Sequence, residues 1–146
     1  MILCKLATRD LETSDRGQTS RDNKYMQNEL RYRGLEVYKK SHKLVIIIYE
    51  ITKSFPKEEI FGLISQIRRA SVSIPANIVE GYGRNSKKDK VHFFFIARGS
   101  LNELEYYLDL SFELGYVQKE KYEELKNLRD EVGRLLNGFI NSFADP

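Results

Sequence analysis

The sequence predicts an all-α protein, an antiparallel up-down-up-down four-helix bundle with a flexible N-terminal tail, and three observations carry that expectation. From Leu35 onward, apolar residues recur at alternating steps of three and four, the period of one helical face. Helix breakers at Pro56, Gly81 to Gly83 and Gly115 divide the periodic stretches, and the short connections turn each helix back along its neighbour. Residues 1–31 instead mix Arg, Asp, Glu, Ser, Thr, Gln and Asn with almost no apolar period, a composition that buries too little surface to order itself. The expected organisation is a disordered tail over 1–31 and a bundle over 32–143.

In the first predicted helix Val37, Ser41, Leu44, Ile48 and Ile51 share one face, and Ser54-Phe55-Pro56 ends it. β-branched residues crowd Val45 to Ile48 and make a strand conceivable there, but the long three-four pattern on both sides favours helix. Pro56 with Glu58 and Glu59 suits a second helix start, because proline needs no donor in the first turn and carboxylates favour the positive end of the helix dipole. Its core series is Ile60, Ile64, Ile67, Ser71, Ile74 and Ile78, with a kink expected at Pro75 and an end near Gly81 or Gly83. Ser86 and Asp89 have capping-box spacing and open the third helix, whose core runs Phe93, Ala97, Leu101, Leu104, Leu108 and Ser111 up to Gly115. Leu125, Leu128, Val132, Leu135 and Phe139 supply the fourth.

The chain of 146 residues has 41% hydrophobic content, enough for one core, and a formal charge of +3 that is far from the composition of a histone-like binder. A nucleic-acid role therefore has to rest on local clustering. The single cysteine, Cys4, excludes an intrachain disulfide framework and fits a reducing compartment. The opening Met-Ile-Leu-Cys-Lys is too short for the apolar region of a signal peptide, and the run Leu44 to Tyr49 is too short to cross a bilayer, so a cytoplasmic protein with no membrane partner is expected. His42 and His92 lack a carboxylate or cysteine constellation, and Gly81-Tyr82-Gly83-Arg84 follows a helix rather than a strand, unlike a phosphate loop. No catalytic residue, metal site or cofactor is expected, and no enzymatic activity.

Two surface patterns point to partners. At about 100° per residue the third helix carries His92, Phe95, Gly99, Tyr106 and Leu110 opposite its core series. Exposed hydrophobes are ordinary when single; recurring along one stripe, with Gly99 admitting close backbone approach, they predict a subunit interface. In an up-down-up-down bundle the first and third helices also start at one pole, gathering Lys39, Lys40 and Lys43 with Arg84, Lys87, Lys88 and Lys90, and with Arg31 and Arg33 from the tail. Such a cluster suits phosphates, although lysines kept for solubility look the same. Arg68 and Arg69 on the second helix and Glu103 and Glu105 on the third are placed to pair across adjacent helices or a subunit boundary.

The stretches Gln66-Ile-Arg-Arg-Ala-Ser-Val-Ser-Ile-Pro-Ala-Asn-Ile-Val-Glu-Gly81 and Ile96-Ala-Arg-Gly-Ser-Leu-Asn-Glu-Leu-Glu105, with Leu114-Gly-Tyr116, Phe55-Pro56 and Phe61-Gly62-Leu63, mark a similarity that covers about residues 35 to 142. Together they resemble the bacterial four-helix-bundle family associated with 23S ribosomal RNA intervening sequences, which is related to accessory proteins of diversity-generating retroelements. The resemblance implies an antiparallel bundle assembled as a homopentamer. It also places Arg68, Arg69, Asn77, Glu80, Arg84 and Glu103 at the motif's polar positions. The expected function is a non-enzymatic oligomer that binds RNA or other nucleic acid through its basic surface. The alternative is a protein-protein adaptor or accessory subunit, for example of a reverse transcriptase or polymerase.

Overall fold

The computed structural model describes residues 20–23, 26–27 and 31–143. Residues Met1–Arg33 and Gly34–Pro146 are separate units. In the first, the described residues are helical, and most of the tail expected over 1–31 lies outside the described residues. In the second, four long helices and two short 3-10 turns make an all-helical unit, with no strand among the described residues. We label the long helices α1 (Glu36–Ile51), α2 (Leu63–Gly83), α3 (Lys87–Glu113) and α4 (Lys119–Phe143). The helices expected after residue 35 are present as α1 to α4, including the β-branched Val45 to Ile48.

All four helices contribute to one core, built on Leu44, Ile48, Ile67, Ile74, Leu104 and Val132 among others. Ser41, Ser71 and Ser111 stand on core faces, as the periodicity predicts, and each is buried. Each hydroxyl donates back to a carbonyl one turn earlier, at Tyr38 (2.9 Å), Arg68 (2.8 Å) and Tyr107 (2.6 Å), so none costs an unmade hydrogen bond.

The second helix starts later than Pro56. Lys57–Glu59 form a 3-10 turn, and α2 begins at Leu63. The cause is local: Glu59 Oε2 accepts the Leu63 N–H at 3.0 Å, satisfying an orphan donor of the first turn. That carboxylate sits where a Cβ on residue 62 would stand, only 2.7 Å away, so Gly62 makes the arrangement possible. Ile60, expected in the core, is therefore left 49% exposed on the turn. From Leu63, α2 runs across Pro75 without a break and ends at Gly83.

Gly81 is a contact residue as well as a late-helix glycine. A Cβ there would meet the Phe94 ring at 2.6 Å and the Lys90 carbonyl at 3.0 Å. The room it leaves admits Phe94 to the core in place of the expected Phe93, which stays partly exposed with the Arg84 guanidinium 4.6 Å from its ring centre. In α4 the buried residues after Val132 are Leu136 and Ile140, while Leu135 and Phe139 flank them. The Ser86 hydroxyl accepts the Asp89 N–H at 3.1 Å, which is the capping contact its spacing predicts. Gly115, at φ +74, closes α3 with bonds from Gly115 N to Phe112 O and from Tyr116 N to Ser111 O, both 2.9 Å, a Schellman motif.

A second, smaller cluster of Phe55, Leu63, Ile64 and Val117 lies beside the main core, with Tyr107, Leu110 and Tyr116 packed on it. Among the described residues, no helix is long and apolar enough to cross a membrane.

Candidate interaction surfaces

The lysines expected at one pole fall into two differently built groups. On α1, Lys39 pairs with Glu36 (2.9 Å) and Lys40 reaches Glu131 of α4 (3.0 Å). Lys43 shares a cleft with Lys40, Glu124, Asp130, Glu131 and Arg134, so acids of α4 offset the α1 cations. At the start of α3, Arg84 pairs with Glu80 one turn before it. Lys90 Nζ donates to the Tyr82 carbonyl at 2.7 Å and lies 5.5 Å from the Tyr82 ring and 5.8 Å from that of Phe143. Partial burial there pulls the Lys90 ammonium below the ordinary lysine range. Lys87 and Lys88 are exposed. Lys40 thus sits level with residue 131 of α4 and Lys90 with residue 143, which at 1.5 Å per residue sets them about 18 Å apart along that helix. Arg31 and Arg33 belong to the other unit.

The outward face of α3 carries exposed apolar groups along its length. Phe95 is 45% and Tyr106 63% exposed, with Ile96, His92 and Gly99 also open to solvent. A Cβ on Gly99 would touch nothing within 4 Å, so the helix backbone is bare there, one turn after Phe95. Arg98 covers one side of Phe95, 4.7 Å from its centre. Leu110 departs from the expected stripe: it is half-buried on the second cluster, because the Phe55 and Val117 segments wrap over that end of α3.

The arginines and glutamates do not pair as α2 with α3. Arg68 Nε donates to Thr52 Oγ1 at 2.8 Å, and its guanidinium lies 4.7 Å from the Tyr49 ring, so it ties α2 to the end of α1. Arg69 donates to Gln66 and shares a small cleft with Ser73, Ser100 and Glu103, where the Ser100 hydroxyl donates to that of Ser73 at 2.8 Å. Glu105 meets Arg129 of α4 at 2.6 Å. The mostly buried Arg129 also reaches Asn102 (3.1 Å) and Asp130 (3.0 Å), leaving its Nε without a hydrogen-bond partner. Nearby, the Tyr122 hydroxyl donates to Asp109 at 2.6 Å, and that bond, with burial second, holds the phenol above its usual range.

One surface goes unmarked by periodicity and charge counting: a groove of about 910 Å³ between α1 and α2. Tyr49, Ile60, Phe61, Ile64 and Val72 give it an apolar lining, Lys53, Lys57, Arg68 and Arg69 give it cations, and no carboxylate lines it. Phe61 is 96% exposed. The turn that presents it is pinned by Glu59, whose Oε1 accepts the Tyr116 hydroxyl (3.3 Å) while Oε2 holds the start of α2. The signal in the sequence was Phe61 itself, a large apolar residue off every helical face and next to a glycine.

The histidines serve ring packing: His42 stacks on Tyr38 with centroids 5.9 Å apart, and His92 meets Phe93 edge-on at 5.6 Å. No group of three or more His, Cys, Asp or Glu suited to a metal ion occurs among the described residues.

Comparison with known proteins agrees with this all-helical architecture. The family model for the 23S rRNA-intervening sequence protein matches residues 33–138. A crystal structure of a protein of unknown function from the S23 ribosomal protein family, from Bacteroides thetaiotaomicron VPI-5482, is 32% identical and superposes with a TM-score of 0.67 over 71% of this chain and 97% of that one. No curated protein matches.

Proposed function

Since the chain belongs to the 23S rRNA-intervening sequence protein family, we propose that it is a non-enzymatic oligomeric four-helix-bundle protein that binds RNA or other nucleic acid through basic surface residues. The observation that carries self-association is the outward face of α3, where Phe95, Ile96 and Tyr106 stay exposed around the bare Gly99 on a helix whose opposite face already fills the core. A second apolar face on a core helix suits a partner better than solvent. The resemblance implies a homopentamer as the assembly.

The antiparallel up-down-up-down path is supported by the order of contacts. Tyr82 with Lys90, Gly81 with Phe94 and Ser73 with Ser100 run in opposite senses along α2 and α3. So do Leu101 with Gly133, Asn102 with Arg129 and Asp109 with Tyr122 along α3 and α4. For nucleic acid, the supporting residues are the exposed Lys87 and Lys88, with Arg84 beside them paired to Glu80 and Lys90 bonded to the Tyr82 carbonyl; the α1 lysines stand among acids.

Light scattering on the purified full chain at micromolar concentration tests the first part, and a monomer mass overturns it. Titration of labelled RNA and DNA at several salt concentrations tests the second. Affinity should fall as salt rises, because cations on phosphate release counterions; no binding at low salt sinks the nucleic-acid part alone.

A further inference from the structure

We infer that the groove between α1 and α2 receives the outward face of α3 from a second copy of this chain, in a head-to-tail contact. The inference rests on the self-association proposed above and names the two surfaces that meet. Phe61 is the anchor, and the bare backbone at Gly99, between Phe95 and Tyr106 along α3, is its seat.

Three observations lead there. The groove's walls are themselves exposed, from Ile60 at the turn to Val72 on α2, so a small molecule would keep much of its surface in water rather than be enclosed as pocket ligands are. A macromolecular face is needed to cover them. Its chemistry must be apolar with negative charge, since cations and no carboxylate line the groove. The outward face of α3 meets that description from Gly99 to Glu113, a stretch with no lysine or arginine. Beside Tyr106 it carries Glu113 and, at the edge it shares with Arg69, Glu103, both exposed and without an ion pair among the described residues, as Lys53 and Lys57 are on the groove side. Arg98, against Phe95, marks where the acidic stretch ends. Shape agrees with charge. Phe61 projects almost wholly into solvent from a turn fixed by Glu59, and Gly99 leaves open space where any other residue would present a side chain.

A single-stranded nucleic acid suits the groove less well. Ile60, Ile64 and Val72 are aliphatic and the Tyr49 ring already has the Arg68 guanidinium against it, so Phe61 is left as a single free ring where successive bases need several to stack on. Groove and α3 face are different surfaces of one chain, so the contact is heterologous: each copy uses both, and the series closes into a ring where the rotation allows.

The test is light scattering and sedimentation on the full chain. Phe61→Ser, at a residue almost free of its own fold, should weaken assembly by about tenfold or more in dissociation constant while leaving helical circular dichroism unchanged. The pair Lys53→Glu with Lys57→Glu, and separately Glu103→Lys with Glu113→Lys, should each dissociate the oligomer. Mixing the two variants should restore association above the monomer, because a groove of one then meets a face of opposite charge on the other; the mixed species should be even-numbered or open, since a ring of five cannot alternate two variants throughout. An oligomeric wild type whose mass is unmoved by all three changes overturns this contact and leaves self-association standing. A monomeric wild type overturns both. Loss of RNA binding with an intact oligomer assigns the groove to nucleic acid and overturns the contact.

Discussion

The two sides of α3 treat glycine in opposite ways. Toward α2, Gly81 is pressed against the Phe94 ring and the Lys90 carbonyl, so that a single methyl group does not fit. On the outward side, Gly99 faces open space. Both are glycines on a helix, yet the first is required by the folded chain and the second by nothing within it. A residue the fold does not need, on a face lined with exposed rings, is where the contact proposed above would leave its mark.

Substitutions on the two sides should separate these roles. The largest effect belongs to Phe94→Ala, which empties a fully buried site against Phe139 and Phe143 and should cost about 3–5 kcal/mol in urea unfolding. Gly81→Ala comes next. Overpacking of about 1–3 kcal/mol should exceed the gain in helix propensity and lower the melting temperature. Gly99→Ala should go the other way, raising the stability of the isolated chain by up to about 1 kcal/mol through helix propensity while weakening self-association. If Gly99→Ala destabilises the fold as Gly81→Ala does, the contrast between the two sides is lost. The smallest effect is on pH dependence. The Tyr122 phenol is held above its usual range in the folded chain, so its contribution is complete below the unfolded value near 10 and is lost as pH rises through the folded one. Tyr122→Phe should therefore flatten the alkaline limb of stability against pH and leave the neutral plateau's shape unchanged.

The helices were legible because a core-facing stripe repeats with the helical period. Where the reading slipped by one residue, at Phe93 against Phe94, Leu135 against Leu136 and Phe139 against Ile140, adjacent apolar residues lie about equally near the centre of the face, and only the facing helix selects between them. At Phe94 the selector is Gly81, one helix away. The late start of α2 was hidden for a related reason: Pro56, Glu58 and Glu59 suit a helix start, but Glu59 bonds forward to Leu63 and moves that start. The basic surface was the least legible. Lys39, Lys40 and Lys43 read as a cluster along α1, yet Lys39 is held by Glu36 three residues back, and what sets the field of Lys40 and Lys43 is Asp130 and Glu131, some ninety residues away. Phe61 and its groove escaped because neither period nor charge run marks a lone exposed ring.

Arg129 gives the joint between α3 and α4 the character of a detent. Its guanidinium engages Glu105 and Asn102 on one side and Asp130 on its own helix, with the Nε closed off from solvent. Sliding α4 by one turn, about 5.4 Å, would match apolar stripes almost as well, since they repeat at that distance. It would also strand a mostly buried cation. Apolar periodicity alone would leave the alignment of these two helices open by a turn; the arginine's partners weigh against the shift.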